Sequence, residues 1–262
     1  MITIKSRKEF EKMAVAGRTV ALVLQTVKET AEPGVSLKEL DAIAAEVIRA
    51  RGCTPSFLGY HGYPANICTS PNSVIVHGIP SDYRLVEGDI LSIDAGAIFE
   101  GFHGDAAITF PIGEVSPEAQ LLMDTTERAL AAGIAQVKAG ARLGDIGHAV
   151  ESEAHLHGFG VVREYVGHGI GRQMHEDPQV PNYGKPGTGT KLKKGMAICI
   201  EPMFNLGGHE TVVEQDGWTV VTADRSLSAH FEHTIAITDS GPRVTTLLSV
   251  QEDDLAVAPG DG

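Results

Sequence analysis

The chain has 262 residues, which allows one large domain or two small ones, and its 42% hydrophobic and 21% charged residues exclude a disordered, collagen-like or coiled-coil protein. A formal net charge of −13 argues against specificity for nucleic acid, because the phosphate backbone would be repelled. Three separated cysteines, no apolar signal core and no long apolar run predict a cytoplasmic protein without disulfides or a membrane span.

Two predicted helices open the chain. A capping box at Ser6–Glu9 starts a helix that runs to about residue 30, and a second box at Ser36–Glu39 starts a helix that runs to Gly52. Short β-branched runs between glycines and prolines then predict strands near residues 65–69, 74–77, 89–98 and 102–111.

The same order of elements recurs further along. Pro117 starts a predicted helix to about residue 139, a further helix covers about residues 143–157, and strands are predicted at 161–167, 196–204, 211–221 and 228–238. The segment Pro33–Leu40 matches the sequence 106 positions later, and Leu85–Asp94 matches the sequence 107 positions later. This repeat predicts an α+β fold with two related halves, about 1–112 and 113–250, in a single domain over 1–250, followed by a disordered tail over 251–262.

The repeat places two acidic residues in each copy. Asp94 and Asp105 lie in the first copy, and Glu201 and Glu232 lie in the second. Four carboxylates that meet in a core are strongly disfavoured unless cations neutralise them. A mostly oxygen site of this kind suits two divalent ions such as Co, Mn, Fe or Zn.

The spacing of the first acidic pair depends on a turn. With a two-residue hairpin loop at Glu100-Gly101, Asp94 lies across from Ala107 and Asp105 lies across from Gly96. Both carboxylates then share one face of the hairpin as diagonal neighbours. Two aspartates facing solvent on a hairpin are the alternative for this pair, and an ordinary polar strand face is the alternative for Glu232.

Histidine-glycine-isoleucine triplets begin at His77 and His168, and His175 follows seven residues after the second. A glycine beside a histidine leaves room for a ligand to approach the backbone. No Gly-x-Ser-x-Gly elbow, P-loop or His-Glu-x-x-His occurs, which favours hydrolysis by metal-activated water over a serine nucleophile. His103 falls in a predicted turn, where a surface role is expected.

Eight short motifs carry a resemblance to a known family over nearly the whole chain: Gly59-Tyr60-His61-Gly62-Tyr63-Pro64, His77-Gly78-Ile79-Pro80, Ile93-Asp94, Gly101-Phe102-His103-Gly104-Asp105, Gly167-His168-Gly169-Ile170-Gly171, His175-Glu176-Asp177-Pro178, Glu201-Pro202 and Phe231-Glu232-His233-Thr234. In these motifs the chain resembles the type I methionine aminopeptidases, in the bacterial short form. That family has the pita-bread (creatinase/aminopeptidase) fold, in which two pseudo-symmetric α+β halves with antiparallel sheet enclose a central dinuclear metal site.

The resemblance implies a role for each motif residue. The metal ligands would be Asp94, Asp105, His168, Glu201 and Glu232, with Glu201 also relaying the proton of a bridging water. His77 and His175 would contact the substrate and stabilise the tetrahedral intermediate. The implied activity is removal of the initiator methionine from nascent proteins and peptides whose second residue is small, by attack of a metal-bridging hydroxide.

The resemblance also implies two binding pockets. The methionine side chain would be held by Tyr60, Tyr63, Cys68, His77 and Trp218, with Phe57 where the family commonly has cysteine and Met174 where it commonly has an aromatic residue. A monovalent cation, Na or K, would be held by Asn72, Val74 and Ser228.

Two other functions compete with this one. The first is a dinuclear aminopeptidase of the same fold with a different N-terminal selectivity, and the second is a catalytically silent binding module. The presence of all five ligand residues and both substrate histidines favours an enzyme over the binding module. The expected partner is the N-terminal peptide of nascent proteins, and the expected oligomeric state is a monomer. Two basic clusters predict either solvated surface charge or contact with the ribosome: Lys5, Arg7, Lys8 and Lys12, and Lys185, Lys191, Lys193 and Lys194.

Overall fold

Helices and strands alternate in two similar series in the computed structural model, which describes residues 2–249. The first series contains α1 (Arg7–Thr30), α2 (Leu37–Ala50), β1 (Thr54–Pro55), a 3₁₀ turn (Tyr60–Gly62), β2 (Ile67–Pro71), β3 (Val74–Val76), β4 (Ile90–Phe99) and β5 (Phe102–Pro111). The predicted tail over 251–262 lies outside the described residues.

The second series begins with two helices and continues with ten short strands. These are α3 (Pro117–Ala135), α4 (Leu143–His155), β6 (Gly160–Val161), β7 (Gly167–Gly169), β8 (Glu176–Val180), β9 (Ala197–Ile200), β10 (Met203–Asn205), β11 (Thr211–Val213), β12 (Val220–Thr222), β13 (Ser228–His230), β14 (His233–Thr238) and β15 (Gly241–Val244). The mixture of helices and antiparallel sheet confirms the predicted α+β class.

Local sequence explains where the first helices begin. At both Ser6 and Ser36, the serine hydroxyl accepts the third helical N–H and a glutamate side chain accepts the serine N–H, so both predicted capping boxes are present. The apolar face of α1, including Val20 and Val27, then packs with α2 against the buried face of the β4–β5 hairpin. This packing covers one face of the hairpin, and the other face is directed toward the second half.

All the sheets formed by residues 2–249 are antiparallel. Strand β4 pairs with β5 along its length and with β1 and β2 on its other edge. The second half contributes a five-stranded sheet in the order β15-β14-β9-β7-β8 and a three-stranded sheet in the order β13-β10-β6. A second three-stranded sheet, β11-β12-β3, joins a strand of the first series to two of the second.

The two halves repeat the same backbone hydrogen bonds. The N–H of Gly34 donates to the carbonyl of Leu85 at 2.8 Å, and the N–H of Gly140 donates to the carbonyl of Leu192 at 2.9 Å. These are the positions that the sequence offsets equate, and in both cases the bond ties the loop before a helix to the segment before a strand. The equivalent loops of the two series therefore make the same backbone hydrogen bond.

Some elements differ from those predicted. Helix α3 ends at Ala135 rather than near residue 139, and three strands, β1, β8 and β15, lie outside the predicted ones. The long strands predicted over 196–204 and 228–238 are each broken, at Glu201-Pro202 and at Phe231-Glu232. Pro202 has no N–H to donate, and the N–H of Glu232 bonds across to Ala107 instead of continuing its own sheet. Both breaks fall at predicted metal ligands.

Two predictions of surface position are wrong. His103 lies on β5 and is 8% exposed, because the strand directs its side chain against Ser56, whose hydroxyl lies 2.9 Å from Nδ1. Lys5 is 4% exposed and paired with Glu176, so it does not belong to a basic surface cluster. Lys12 of that cluster pairs with Glu100 at 2.9 Å. Contact of the remaining basic residues with the ribosome stays a prediction.

Among residues 2–249, no helix has both the length and the apolar character needed to cross a membrane.

Candidate metal centre and substrate pocket

One cavity of about 180 Å³ gathers the residues that the sequence singled out. Its walls include the five predicted ligands, both predicted substrate histidines and the predicted methionine pocket: Asp94, Asp105, His168, Glu201, Glu232, His77, His175, Phe57, Tyr60, Tyr63, Cys68, Met174 and Trp218. Residues from both halves of the repeat therefore meet in a single space.

The β4–β5 hairpin places the first two carboxylates. Asp94 pairs with Ala107 and Asp105 pairs with Gly96, the register that a two-residue turn at Glu100-Gly101 predicts. Oδ1 of Asp94 and Oδ1 of Asp105 are buried and have no hydrogen-bond partner among the described residues. A buried carboxylate oxygen without a hydrogen-bond partner raises the free energy of the folded protein unless a cation or water binds it.

The second half brings the remaining carboxylates and an imidazole to the same point. One oxygen of Glu232, Oε1, is also buried and unpartnered among the described residues. His168 Nε2 lies 3.6 Å from Glu201 Oε1 and 4.0 Å from Asp105 Oδ2. Ligand atoms of Asp105, His168 and Glu232 all lie within 4.8 Å of one another, a separation that a bound cation can bridge.

The tautomer of His168 suits metal binding. Its Nδ1 lies 2.9 Å from the carbonyl oxygen of Gly169, which can only accept, so Nδ1 carries the proton and Nε2 presents a lone pair to the carboxylates. Burial lowers the pKa of His168 to about 3, with His175 adding to the effect, so the ring is neutral near pH 7. A neutral imidazole with one nitrogen fixed by a backbone carbonyl is a common metal ligand.

The electrostatics of the carboxylates also fit divalent cations. Burial raises the pKa of Asp94, Glu201 and Glu232 well above the ordinary carboxyl range, with repulsion from the neighbouring carboxylates as the next cause. Burial likewise raises the pKa of Asp105 to about 7. Two divalent ions would offset four negative charges, and the oxygen-rich donor set matches Mn, Fe, Co or Zn. The residues present therefore fit a dinuclear centre.

His77 is held in an unusual backbone conformation beside the centre. Its φ is +61°, in the left-handed region that bulky residues rarely adopt. A Cβ added to the following residue, Gly78, would lie 2.2 Å from the carbonyl oxygen of Thr69, so only glycine fits there. Burial lowers the pKa of His77 to about 4. The neutral ring keeps one N–H that can donate to a substrate.

His175 faces the same cavity from the other half. Its Nδ1 lies 2.8 Å from the hydroxyl of Tyr60, and its ring centroid lies 4.2 Å from that of His168. Desolvation lowers the pKa of His175, with the electrostatic effect of His61 as a second cause. Since Tyr60 occupies Nδ1, Nε2 is the nitrogen left for substrate.

The predicted methionine pocket is an apolar cluster. Phe57, Tyr63, Cys68 and Met174 are each at most 6% exposed, and Trp218 stands edge-on to Tyr63 with ring centroids 5.2 Å apart. Aromatic and sulfur surface of this kind favours a flexible thioether. Phe57 and Met174, the two departures from the family pattern, both line the cavity.

Three residues of the site were not assigned from the sequence. His230 is 1% exposed with Nε2 3.8 Å from Glu201 Oε2, Cys199 lies within the cluster of ligand atoms, and Tyr165 lines the cavity. His230 and Cys199 each precede a predicted ligand by two residues. Because extended chain repeats every two residues, that spacing could have identified both.

The residues of the predicted monovalent-cation site lie near one another. The N–H of Ser228 donates to the carbonyl of Asn72 at 2.9 Å, and Val74 lies two residues away on β3. The side chain of Asn72 is engaged, since its amide donates to Asp89 at 2.8 Å and its oxygen accepts from Ile90. Binding of Na or K at this place stays a prediction.

The sequence is similar to those of known metallopeptidases. A profile of metallopeptidase family M24 matches residues 11–239. The chain is 52% identical over 250 residues to a protein named methionine aminopeptidase 1 from Mycobacterium tuberculosis, covering 93% of this chain and 94% of that one. It is 49% identical over 248 residues to a methionine aminopeptidase from Clostridium acetobutylicum, covering 94% of this chain and 99% of that one.

Solved structures show the same fold. The crystal structure of methionine aminopeptidase from Thermotoga maritima superposes with a TM-score of 0.92 at 45% identity, covering 94% of this chain and 100% of that chain. A prolidase from Pyrococcus furiosus superposes with a TM-score of 0.74 at 21% identity, covering 93% of this chain and 65% of that chain. The second likeness shows the fold alone.

Proposed function

Since this chain belongs to metallopeptidase family M24, we propose that it removes the N-terminal methionine from peptides and nascent proteins whose second residue is small. The relatives that cover nearly its full length are named methionine aminopeptidases, and the chain is a metal-dependent exopeptidase of the same kind. The observation that carries the proposal is the single cavity in which an oxygen-rich ligand set and an apolar thioether pocket adjoin.

The metal ligands would be Asp94, Asp105, His168, Glu201 and Glu232. Two observations support this assignment. Three of the four carboxylates have a buried oxygen without a hydrogen-bond partner among the described residues, and Nε2 of the imidazole carries no proton. Divalent ions bound there would supply Lewis acidity, which lowers the pKa of water and polarises a scissile carbonyl. Co, Mn, Fe and Zn are all compatible with this donor set.

Glu201 would act as the proton carrier of the reaction. Its carboxylate lies between two imidazoles, with Oε1 3.6 Å from His168 Nε2 and Oε2 3.8 Å from His230 Nε2. Burial raises its pKa, so the carboxylate is basic enough to take a proton from the attacking water and return it to the leaving amine.

His77 and His175 would stabilise charge on the substrate. Both are neutral near pH 7, so each can donate one N–H to the carbonyl oxygen of the scissile bond. Such bonds strengthen as that oxygen gains negative charge in the transition state. Tyr60 and the left-handed backbone at His77 hold the two rings before substrate arrives.

The pocket would select methionine by shape and polarisability. Tyr63, Cys68 and Trp218 surround the space next to the metal ligands, and Phe57 and Met174 complete its wall. An unbranched side chain with a thioether fits a sulfur- and aromatic-lined cavity better than a β-branched or charged one. A dinuclear aminopeptidase of different selectivity would cleave peptides with other first residues equally well.

The experiment is methionine release from Met-Ala-Ser by wild-type protein, by chelator-treated protein and by chelated protein resupplied with Mn²⁺ or Co²⁺. Chelation is expected to abolish release and either metal to restore it. Ala-Ala-Ser serves as the control peptide and is expected to stay intact. Full activity after chelation, or equal cleavage of both peptides, would overturn the proposal. A metal-loaded protein that binds the peptide without cleaving it would instead identify a binding module.

A further inference from the structure

The amino-terminal segment reaches across the molecule to the loop that carries His175. Residues 171–176, here called the His175 loop, comprise most of the connection between β7 and β8 together with the first residue of β8, and they present both Met174 and His175 to the cavity. Ile2 bridges to Asp177 directly after this loop, and the N–H of Lys5 donates to the carbonyl of Gly195 at 2.7 Å. The segment before α1 is therefore fixed against the second half, although it belongs to the first.

A buried ion pair connects the segment to the loop. Lys5 Nζ lies 2.9 Å from Glu176 Oε2, and the two side chains are only 4% and 6% exposed. The hydroxyl of Thr3 donates to the same oxygen. Truncating one member of a buried pair leaves the other charge uncompensated, which is far more disruptive than breaking a surface pair.

Glu176 in turn shapes the His175 loop. Its other oxygen, Oε1, accepts the N–H of Gln173 at 3.3 Å, and the N–H of Gly171 donates to the carbonyl of Gln173 at 3.1 Å. A Cβ at Gly171 would lie 2.5 Å from Lys5 Cε and 2.8 Å from Glu176 Oε1. The end of the Lys5 side chain therefore lies against the backbone of the loop. The carboxylate thus holds the loop from inside while Lys5 and Thr3 hold the carboxylate.

The other side of the His175 loop is held by residues of β5. The carbonyl of Gly171 accepts the N–H of His103 at 2.9 Å, and the guanidinium of Arg172 lies 4.3 Å from the ring centroid of Phe102. With one side of the loop fixed by β5 and the ring of His175 bonded to Tyr60, Glu176 holds the remaining side of the loop. His175 follows Met174 and directly precedes Glu176, so a shift of the carboxylate moves its backbone.

We propose that Lys5 is a positioning residue for His175, acting through Glu176 to hold the His175 loop at the cavity. Lys5 does not line the cavity, and it acts on the imidazole through Glu176. The inference rests on the proposed role of His175 in substrate binding. A displacement of about 1 Å at a positioning group can cost up to about 100-fold in rate.

The test is a double-mutant cycle between Lys5→Met and His175→Ala, read as kcat/KM for methionine release from Met-Ala-Ser by the Mn²⁺-loaded protein. Lys5→Met alone is expected to lower kcat/KM about tenfold, mostly in kcat, because the transition-state contact of His175 is weakened. In the His175→Ala background the same substitution is expected to have less than about a twofold effect, since the imidazole that Lys5 positions is no longer there. Lys38→Met is the matched control, because its pair with Asp82 is exposed, and it should leave kcat/KM unchanged.

Equal losses in both backgrounds, or no loss in the parent background, would overturn the proposal. If Lys5→Met folds poorly, amide hydrogen exchange in Thr3→Val and Glu176→Gln provides a second measurement. We expect faster exchange confined to residues 171–177. Unchanged exchange in those residues would contradict the proposal. Absence of methionine release by the wild-type protein would count against the proposed function, whereas the exchange experiment would still decide whether the segment holds the loop.

Discussion

The backbone N–H of Glu232 donates a hydrogen bond to the carbonyl of Ala107 at 2.9 Å, and the N–H of Ala107 returns one to the carbonyl of Glu232 at 3.3 Å. This pair of bonds joins β5 of the first half to the second half at the position of a predicted ligand. Two residues away, the hydroxyl of Thr234 accepts from the N–H of Asp105 at 3.0 Å and donates to its carbonyl at 2.8 Å. The joint between the halves and the candidate metal centre are therefore one feature.

Thr234→Val should show how much the joint between the halves stabilises the protein when no metal is bound. The substitution keeps the shape of the side chain but leaves the buried N–H and carbonyl of Asp105 without their partner, at a cost of about 2–4 kcal/mol in the free energy of unfolding. Urea unfolding of chelator-treated protein measures it. Thr30→Val, which removes a hydroxyl bonded only to a carbonyl within α1, should change that free energy by less than about 1 kcal/mol. Equal effects at the two positions would contradict the role of the joint.

The stabilisation by metal should grow with pH. The pKa values of the clustered carboxyls are higher in the folded protein than in the unfolded chain, where a carboxyl titrates near 4. Their contribution to stability is thus present at low pH and is lost as the pH rises through the folded values, which for Asp105 is about 7. Between pH 5 and pH 8 the chelated protein should lose thermal stability and the Mn²⁺-saturated protein should not.

The measurement is the difference in Tm between the saturated and chelated proteins, taken across that pH range. In Asp94→Asn the chelated protein should show a shallower fall, because one of the repelling carboxylates is gone. A difference in Tm that stays constant with pH, or that narrows, would show that these carboxyls do not carry the shifts assigned to them.

Gly78→Ala should disable the site through the backbone of His77. The new Cβ would lie 2.2 Å from the carbonyl oxygen of Thr69, so the chain must move there. We expect a loss of about 1–3 kcal/mol in stability and a fall in kcat/KM of at least about tenfold. Gly187→Ala is the control: a Cβ there meets no atom within 4 Å, and only the strain of its φ of +74° remains. If the control lowers kcat/KM as much, the effect does not come from His77.

Trp218 should report on the methionine pocket. It is the only tryptophan in the sequence and stands at the cavity wall beside Tyr63. Binding of L-methionine, the expected product, should change its fluorescence with a saturable dependence on concentration, because the thioether replaces water against the ring. L-alanine is too short to reach the ring and should produce at most a small change. Identical titrations with both amino acids would place the methionine side chain elsewhere.

Much of this site follows from local sequence rules. The two capping boxes and the two-residue turn at Glu100-Gly101 fix the start of α1, the start of α2 and the register of the β4–β5 hairpin, so the shared face of Asp94 and Asp105 is predictable. The duplicated pattern then identifies Glu201 as the equivalent carboxylate in the second half. Each of these rules depends on residues close together in the chain.

The remainder depends on contacts between distant residues. Lys5 and Glu176 are 171 positions apart, and nothing near either residue indicates that a lysine there is buried. His103 is predicted to lie in a turn, yet it lies on β5 of the hairpin, and its ring packs against Ser56. The breaks at Glu201 and Glu232 likewise arise where the halves meet, which local β propensity does not record.

Anomalous scattering from crystals of the protein loaded with Mn²⁺ tests the central claim most directly. We expect two strong peaks within coordination distance of five residues: Asp94, Asp105, His168, Glu201 and Glu232. The peaks should lie in the cavity that His77 and Trp218 also line. We also expect both peaks to be lost in Asp105→Asn, because the Asp105 side chain lies within reach of His168 and Glu232. Manganese bound only outside this cavity, or no bound manganese in a protein that still releases methionine, would contradict the claim.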